Sequence, residues 1–345
     1  MKKTLSLVIR LLLAAAGIVY IVLTITWRDQ FNEAGELVQQ GLFSMLATAR
    51  WQLLAVGCAL VAIVFPLQAL RWFVLMRARG MTVTLARAMR LTLVGTFFNF
   101  CMPGTTGGDV IKAWYAAVRS DRRTDAVMSV IVDRAVGLIG LILLSGVVGL
   151  FMLEHAVVRQ VTASIWLLAA ALAVGGGLYF SHTVRRMLPV GRWMNRVPGG
   201  SLIRMIDAAA LAYRSHLSIL VATVILSAIV HIAQATAAAL AGYALGMTIP
   251  MGVMLCVIPA IFLLGAVPLT PQGFGVMEFA GAMLLQTTDQ ANVNQIIAML
   301  LISRLYQIAF GLLGALLLLK GDIHLHHVPL TTIPDADETR SVTTK

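Results

Sequence analysis

The sequence predicts an all-α polytopic membrane protein, with about six transmembrane helices and two re-entrant helical hairpins in an inverted-topology repeat. Three observations lead there. The 345 residues are 59% hydrophobic and only 12% charged, where soluble domains carry about 25% charge. Their apolar runs exceed the roughly 18 residues needed to cross a bilayer. Lys and Arg gather beside those runs, and two runs are interrupted by stretches of the same grammar, Asn99 to Lys112 and Val267 to Glu278.

Each interruption combines proline, glycine and threonine with a carboxylate. Pro103 removes a backbone donor and the glycines around it lower helical propensity, so the chain must break there. At membrane depth such a break persists only where it is buried in protein or lines a wet cavity.

The elements follow in order. Span one covers about Leu5 to Trp27, and Lys2, Lys3 and Arg10 at its start place the N-terminus in the cytoplasm by the positive-inside rule. Residues 28 to 50 hold Asp29, Glu33 and Glu36 among spaced apolar positions and read as an amphipathic helix on the outer face. Span two, about Gln52 to Met76, returns inward to Arg71, Arg77 and Arg79. Leu91 to Cys101 and Asp109 to Arg119 are eleven residues each, about 16 Å of helix against a hydrocarbon core of about 30 Å. Neither arm spans, and arginines flank the pair on both sides. That segment is therefore a hairpin entering from the cytoplasm.

Span three, about Thr124 to Leu153, leads out and span four, Val161 to Phe180, leads back. Residues 181 to 216 hold six arginines, the mark of a large cytoplasmic connection. Span five is about Leu217 to Met247. No Lys or Arg occurs between Arg214 and Arg304, so the second hairpin, about 250–286, enters from outside. Span six, about Val293 to Leu319, precedes a polar tail with the composition of a disordered segment.

Three crossings per half is an odd number, so the halves have opposite orientation. The first repeat covers 1–153 with its hairpin at about 85–119, the second covers 154–320, and 321–345 is a flexible cytoplasmic tail. Asp109 to Arg134 is 25 residues and Glu278 to Arg304 is 26. Both arginines lie in the span after their hairpin.

Candidate site residues come from the two tips and the spans beside them. They are Asn99, Gly104, Thr105, Thr106, Gly107, Gly108, Asp109, Lys112, Asp133 and Arg134 in the first half, with Thr270, Gln272, Gly273, Gly275, Glu278 and Arg304 in the second. A carboxylate at membrane depth is expensive and marks a functional site by default. Asp109 and Glu278 also suit a helix N-terminus as caps. Arg134 and Arg304 either bridge Asp133, Asp109 or Glu278, or grip a phosphate, whose oxygens match a guanidinium fork. Lys112, one turn past Asp109, either pairs with it or snorkels to the headgroups. His231 and Gln234 read as interhelical hydrogen-bond partners.

Other classes are excluded on composition. The formal charge of +11 sits in membrane-flanking loops, so no nucleic acid is a partner. Cys58, Cys101 and Cys256 show neither Cys-x-x-Cys nor zinc spacing. His324, His326 and His327 lie in the tail and make no metal site. No cofactor is expected.

The pattern Asn99-x-x-x-Pro103-Gly104-x-x-Gly107-Gly108-Asp109, the Asp133-Arg134 step, and Pro271-x-Gly273-x-Gly275-x-x-Glu278 followed by Arg304 resemble the flippase-like family of the lysylphosphatidylglycerol synthase transmembrane region. The resemblance covers about residues 5 to 320 and implies a lipid-translocating or lipid-handling protein of a bacterial-type inner membrane. No aminoacyl-transfer domain follows span six, so synthesis of aminoacylated lipid is not implied. The expected function is movement of a lipid with a charged headgroup (phospholipid, polyprenyl-phosphate or glycolipid) through a midplane site made by the two tips, by a monomer or a homo-oligomer. The alternatives are an intramembrane lipid-modifying enzyme using Asp109 and Glu278 as acid and base, and a membrane scaffold subunit.

Overall fold

The computed structural model describes residues 12, 15–101, 107–118, 122–180, 213, 215–267 and 270–319. In chain order these form α1 (Ala15–Thr24), β1 (Gln30–Phe31), β2 (Leu37–Gln39), α2 (Leu42–Ala47), α3 (Trp51–Ala78), α4 (Leu85–Cys101), α5 (Gly107–Val118), α6 (Arg123–Leu150) and α7 (Ala156–Phe180). After residue 213 come α8 (Leu217–Ala244), α9 (Met251–Gly265), a 3-10 turn at Pro271–Gly273, α10 (Val276–Leu285) and α11 (Val293–Leu319).

Among the described residues, five helices are long and apolar enough to cross a membrane: Trp51–Ala78, Arg123–Leu150, Ala156–Leu178, Leu217–Ala244 and Val293–Leu319. They coincide with spans two to six read from the sequence. Of span one, Ala15–Thr24 is helical. That helix stops short of Trp27 because the Asn294 side chain takes both backbone groups of Thr26, accepting from its N–H at 2.9 Å and donating to its carbonyl at 3.1 Å.

The amphipathic helix expected over residues 28 to 50 is not formed. A two-stranded antiparallel hairpin, β1 with β2, stands there, followed by the six residues of α2. Turn chemistry overrides the apolar spacing. The Asn32 carboxamide accepts from the Glu36 N–H at 2.8 Å and donates to the Glu36 carboxylate at 2.9 Å, an Asx-type closure that competes with helix. Asp29 then accepts from the Gly41 N–H at 2.7 Å.

The core is built on close helix approach. In α8, Ala235, Ala237, Ala238, Ala239, Ala241 and Ala244 are buried, and α3 packs along that helix. Small side chains let two backbones meet where lipid supplies no hydrophobic drive between helices. By contrast α7 leaves Leu167, Leu172 and Val174 exposed, as suits a face in contact with acyl chains. The two interrupted segments each form a pair of short helices in contact, α4 with α5 and α9 with α10. At 17, 12, 15 and 10 residues they are about 26, 18, 23 and 15 Å long, less than a hydrocarbon core of about 30 Å. The α4–α5 pair closes so tightly that a Cβ on Gly108 would strike the Gly95 carbonyl.

Candidate functional site

At the second break the chain is described from Thr270 onward. Gly273 and Gly275 have φ of 68° and 81°, which glycine adopts without strain, and Gln272 has φ of 50°, a left-handed value uncommon for a residue with a Cβ; together they end helical hydrogen bonding. α10 restarts at Val276 and places Glu278 in its first turn. One Glu278 oxygen accepts from the Gly275 N–H at 2.8 Å, so the capping expectation for this carboxylate holds. Arg304 of α11 grips the same group with two nitrogens, at 2.7 and 3.3 Å. It also donates to the Gln272 carbonyl at 2.6 Å and lies 4.0 Å from the Phe274 ring centroid. The Glu278 and Arg304 side chains are 0% and 5% exposed. Gln272 thus enters the arrangement through its backbone. Thr270 is buried, and its hydroxyl has no hydrogen-bond partner among the described residues.

At the first break, residues 102–106 lie outside the described part of the chain, and with them Gly104, Thr105 and Thr106. Asn99 at the end of α4 accepts from the Gly108 N–H at 2.7 Å, which fixes the start of α5. Asp109 in the first turn of α5 pairs with Arg134 of α6 at 2.5 Å. The second arm of the same guanidinium donates to the Ala266 carbonyl at the end of α9, at 3.1 Å. Arg134 therefore ties the first break to the second. This pair is less enclosed by protein than its counterpart, with side chains 30% and 25% exposed.

Asp133 and Lys112 do not pair as the sequence suggested. Arg134 leaves its neighbour Asp133 to Arg71 of α3, which donates through Nε at 2.8 Å. Lys112 neither meets Asp109 nor reaches the headgroups. Its ammonium is 3.5 Å from the other Asp133 oxygen and 4.5 Å from the Trp72 ring centroid. The reason is geometric: Lys112 points into the α3–α6 side of the bundle, where an acceptor and an aromatic face are already buried. Arg71 also donates to Ser227 of α8 at 2.9 Å. His231 Nε2 donates to the Gly137 carbonyl of α6 at 3.0 Å, the interhelical bond expected of it, while its Nδ1 lies 3.2 Å from the Gln234 carboxamide oxygen within α8 itself.

Sequence reasoning missed Arg71, Ser227 and the Ala266 carbonyl. Arg71 carried a signal, since it lies inside the apolar run, two turns before Arg77 and Arg79. Among the described residues no three His, Cys, Asp or Glu side chains gather as metal ligands. The arrangement can hold and release anionic oxygens: guanidinium groups beside helix breaks, balanced by carboxylates that a competing anion would displace.

Among curated proteins no match to the chain is found. The family model of the lysylphosphatidylglycerol synthase TM region matches residues 7–315, across both breaks and all the ion pairs above. The chain belongs to the family of that membrane region.

Proposed function

We propose that the protein moves a lipid with a charged headgroup across the bilayer, at a site between the two helix breaks. The observation that carries this reading is Arg134, quarter to one-third exposed, shared between Asp109 of the first helix pair and the Ala266 carbonyl of the second. An anionic headgroup oxygen competes with Asp109 for that guanidinium. Once Asp109 is displaced, the α5–α6 contact loosens and the headgroup passes to the other side.

In this proposal the two short helix pairs are re-entrant hairpins that enter from opposite faces. The halves form an inverted repeat, and both termini face the cytoplasm. The matching placement of each carboxylate in the first turn after a break, with its arginine 25 or 26 residues on, supports the repeat. The substrate belongs to the phospholipid, polyprenyl-phosphate or glycolipid classes. A lipid-modifying enzyme using Glu278 as acid or base is disfavoured by its setting. Both Glu278 oxygens are taken by Arg304, one of them also by the Gly275 N–H, and the side chain is fully buried.

The test is reconstitution in proteoliposomes carrying a fluorophore-labelled phosphatidylglycerol, with external dithionite reporting how much label crosses. Arg134→Gln should lower the crossing rate at least tenfold against wild type, while the purified variant stays folded. Equal rates for wild type, Arg134→Gln and protein-free vesicles would refute translocation of this lipid class.

A further inference from the structure

Away from the Arg-rich helix ends, the described residues carry four cations, Arg71, Lys112, Arg134 and Arg304, and three carboxylates, Asp109, Asp133 and Glu278. The tally matters because a charge held out of water without a counter-charge is costly. Glu278 is spent on Arg304 and Asp109 on Arg134. Asp133 is shared, and unequally: Arg71 holds it at 2.8 Å, leaving Lys112 at 3.5 Å. The surplus positive charge therefore falls at Lys112.

That ammonium has three donors and one distant acceptor. The Trp72 face steadies a cation but accepts no ordinary hydrogen bond. The Lys112 side chain is also not sealed, since 10% of its surface is accessible. It is the only lysine between Lys3 and Lys320, and a compact ammonium there suits a spherical oxyanion edge rather than a planar fork. On α5 it lies one turn from Asp109, and on α6 its partner Asp133 adjoins Arg134. The surplus charge thus sits next to the pair at which the headgroup is proposed to bind.

We infer that Lys112, with Arg71 behind it across Asp133, is a second oxyanion-binding point. It takes a singly charged phosphate-type group, borne by a lipid headgroup or free in solution. Its place in a transport cycle rests on the translocation reading; its existence as a binding point does not. The anion completes the charge balance of the α3–α5–α6 cluster, so occupancy of this point holds the three helices together until Arg134 draws the group away.

Two arms test this on the full chain. In the first, the detergent-solubilised protein is titrated with inorganic phosphate, at ionic strength fixed with chloride, and thermal unfolding is followed. In the second, the protein in nanodiscs of equal phosphatidylglycerol and phosphatidylcholine is released for native mass spectrometry, and the retained lipids are identified. Wild type should be stabilised by phosphate, retain phosphatidylglycerol preferentially, or both. Lys112→Gln should weaken that response about tenfold, the scale of one lost charge-assisted hydrogen bond, and Lys112→Arg should keep most of it.

Phosphate stabilisation alone identifies a free anion; phosphatidylglycerol retention without it identifies the lipid-borne group. If Lys112→Gln fails to fold, Asp133→Asn decides the matter, because freeing Lys112 and Arg71 from their carboxylate should strengthen both responses. Wild type that responds to neither probe, or a Lys112→Gln protein that responds as wild type does, overturns the inference. Binding without lipid crossing in proteoliposomes would instead count against the translocation reading alone.

Discussion

Replacing Arg304 with methionine should be far more destructive than the same change at Arg134, although the two arginines occupy matching places. The guanidinium of Arg304 is 5% exposed and makes three hydrogen bonds, two to Glu278 and one to the Gln272 carbonyl. Its loss strands a fully buried carboxylate, which costs roughly 3–5 kcal/mol. Arg134 and Asp109 keep 30% and 25% of their side-chain surface; if that surface opens on water, as a translocation path requires, the cost should be about 1 kcal/mol. At about 2 °C per kcal/mol for a chain of this size, Arg304→Met should lower the midpoint by roughly 6–10 °C and Arg134→Met by about 2 °C. Intrinsic fluorescence on heating in detergent measures both. Combining Arg304→Met with Glu278→Leu should recover more than half of the loss, since no buried charge is then left alone. Equal midpoint shifts for the two single variants, or no recovery in the double variant, would refute the assignment of Glu278–Arg304 as the structural lock and Asp109–Arg134 as the working pair.

Three further outcomes can be checked directly. Single cysteines at Ser201 and Asp289 should label from opposite faces, Ser201 from the cytoplasm, and labelling from one face would break the inverted arrangement. Asn294→Ala strands the N–H of Thr26 and the carbonyl of Gln40, which Asn294 now satisfies at 2.9 and 3.1 Å, while the Thr26 carbonyl keeps the Leu42 N–H at 2.8 Å; the loss should be about 1–3 kcal/mol, seen as a lower denaturation midpoint. Gly17→Ala would bring a Cβ to 2.7 Å from the Gly275 Cα, so α1 must back away from the second break. Cysteine at Phe274 should then react faster with a membrane-permeant maleimide than in the Gly17 parent, and unchanged kinetics would show that α1 does not cover this break.

Spans two to six were legible because an apolar run of that length has few other fates, and the breaks because proline and glycine interrupt it. The carboxylate–arginine spacing was legible too, but it left the partners open, and only the packing pairs Asp109 with Arg134 and Glu278 with Arg304. Residues 28 to 50 depart from the helix their apolar spacing predicts because Asn32 and Gly35 supply turn chemistry that is local and stronger over so short a stretch. Lys112 was misread because distance along one helix says nothing about which neighbour a side chain faces. Asp109 is its near neighbour in sequence, but Asp133 is its neighbour in space. Arg71 was assigned to the positive-inside signal along with Arg77 and Arg79. Only the buried Asp133 and Ser227 across the bundle distinguish it, and helix packing is not written in a single chain.

The hydrogen bond from Arg134 to the Ala266 carbonyl crosses 132 residues of sequence, and this has a bearing on biogenesis. At a synthesis rate of roughly 5–20 residues per second, the carbonyl emerges about 7–26 s after the guanidinium. During that interval the nascent first half sits in the membrane with Arg134 of α6 facing Asp109 of α5 and its bond to the second half still unmade. The bond can close only when α9 has inserted. Insertion of the second half is thus recorded chemically in the first, and a ribosome stalled before residue 266 would leave a half-protein whose α5 and α6 lack their final fastening.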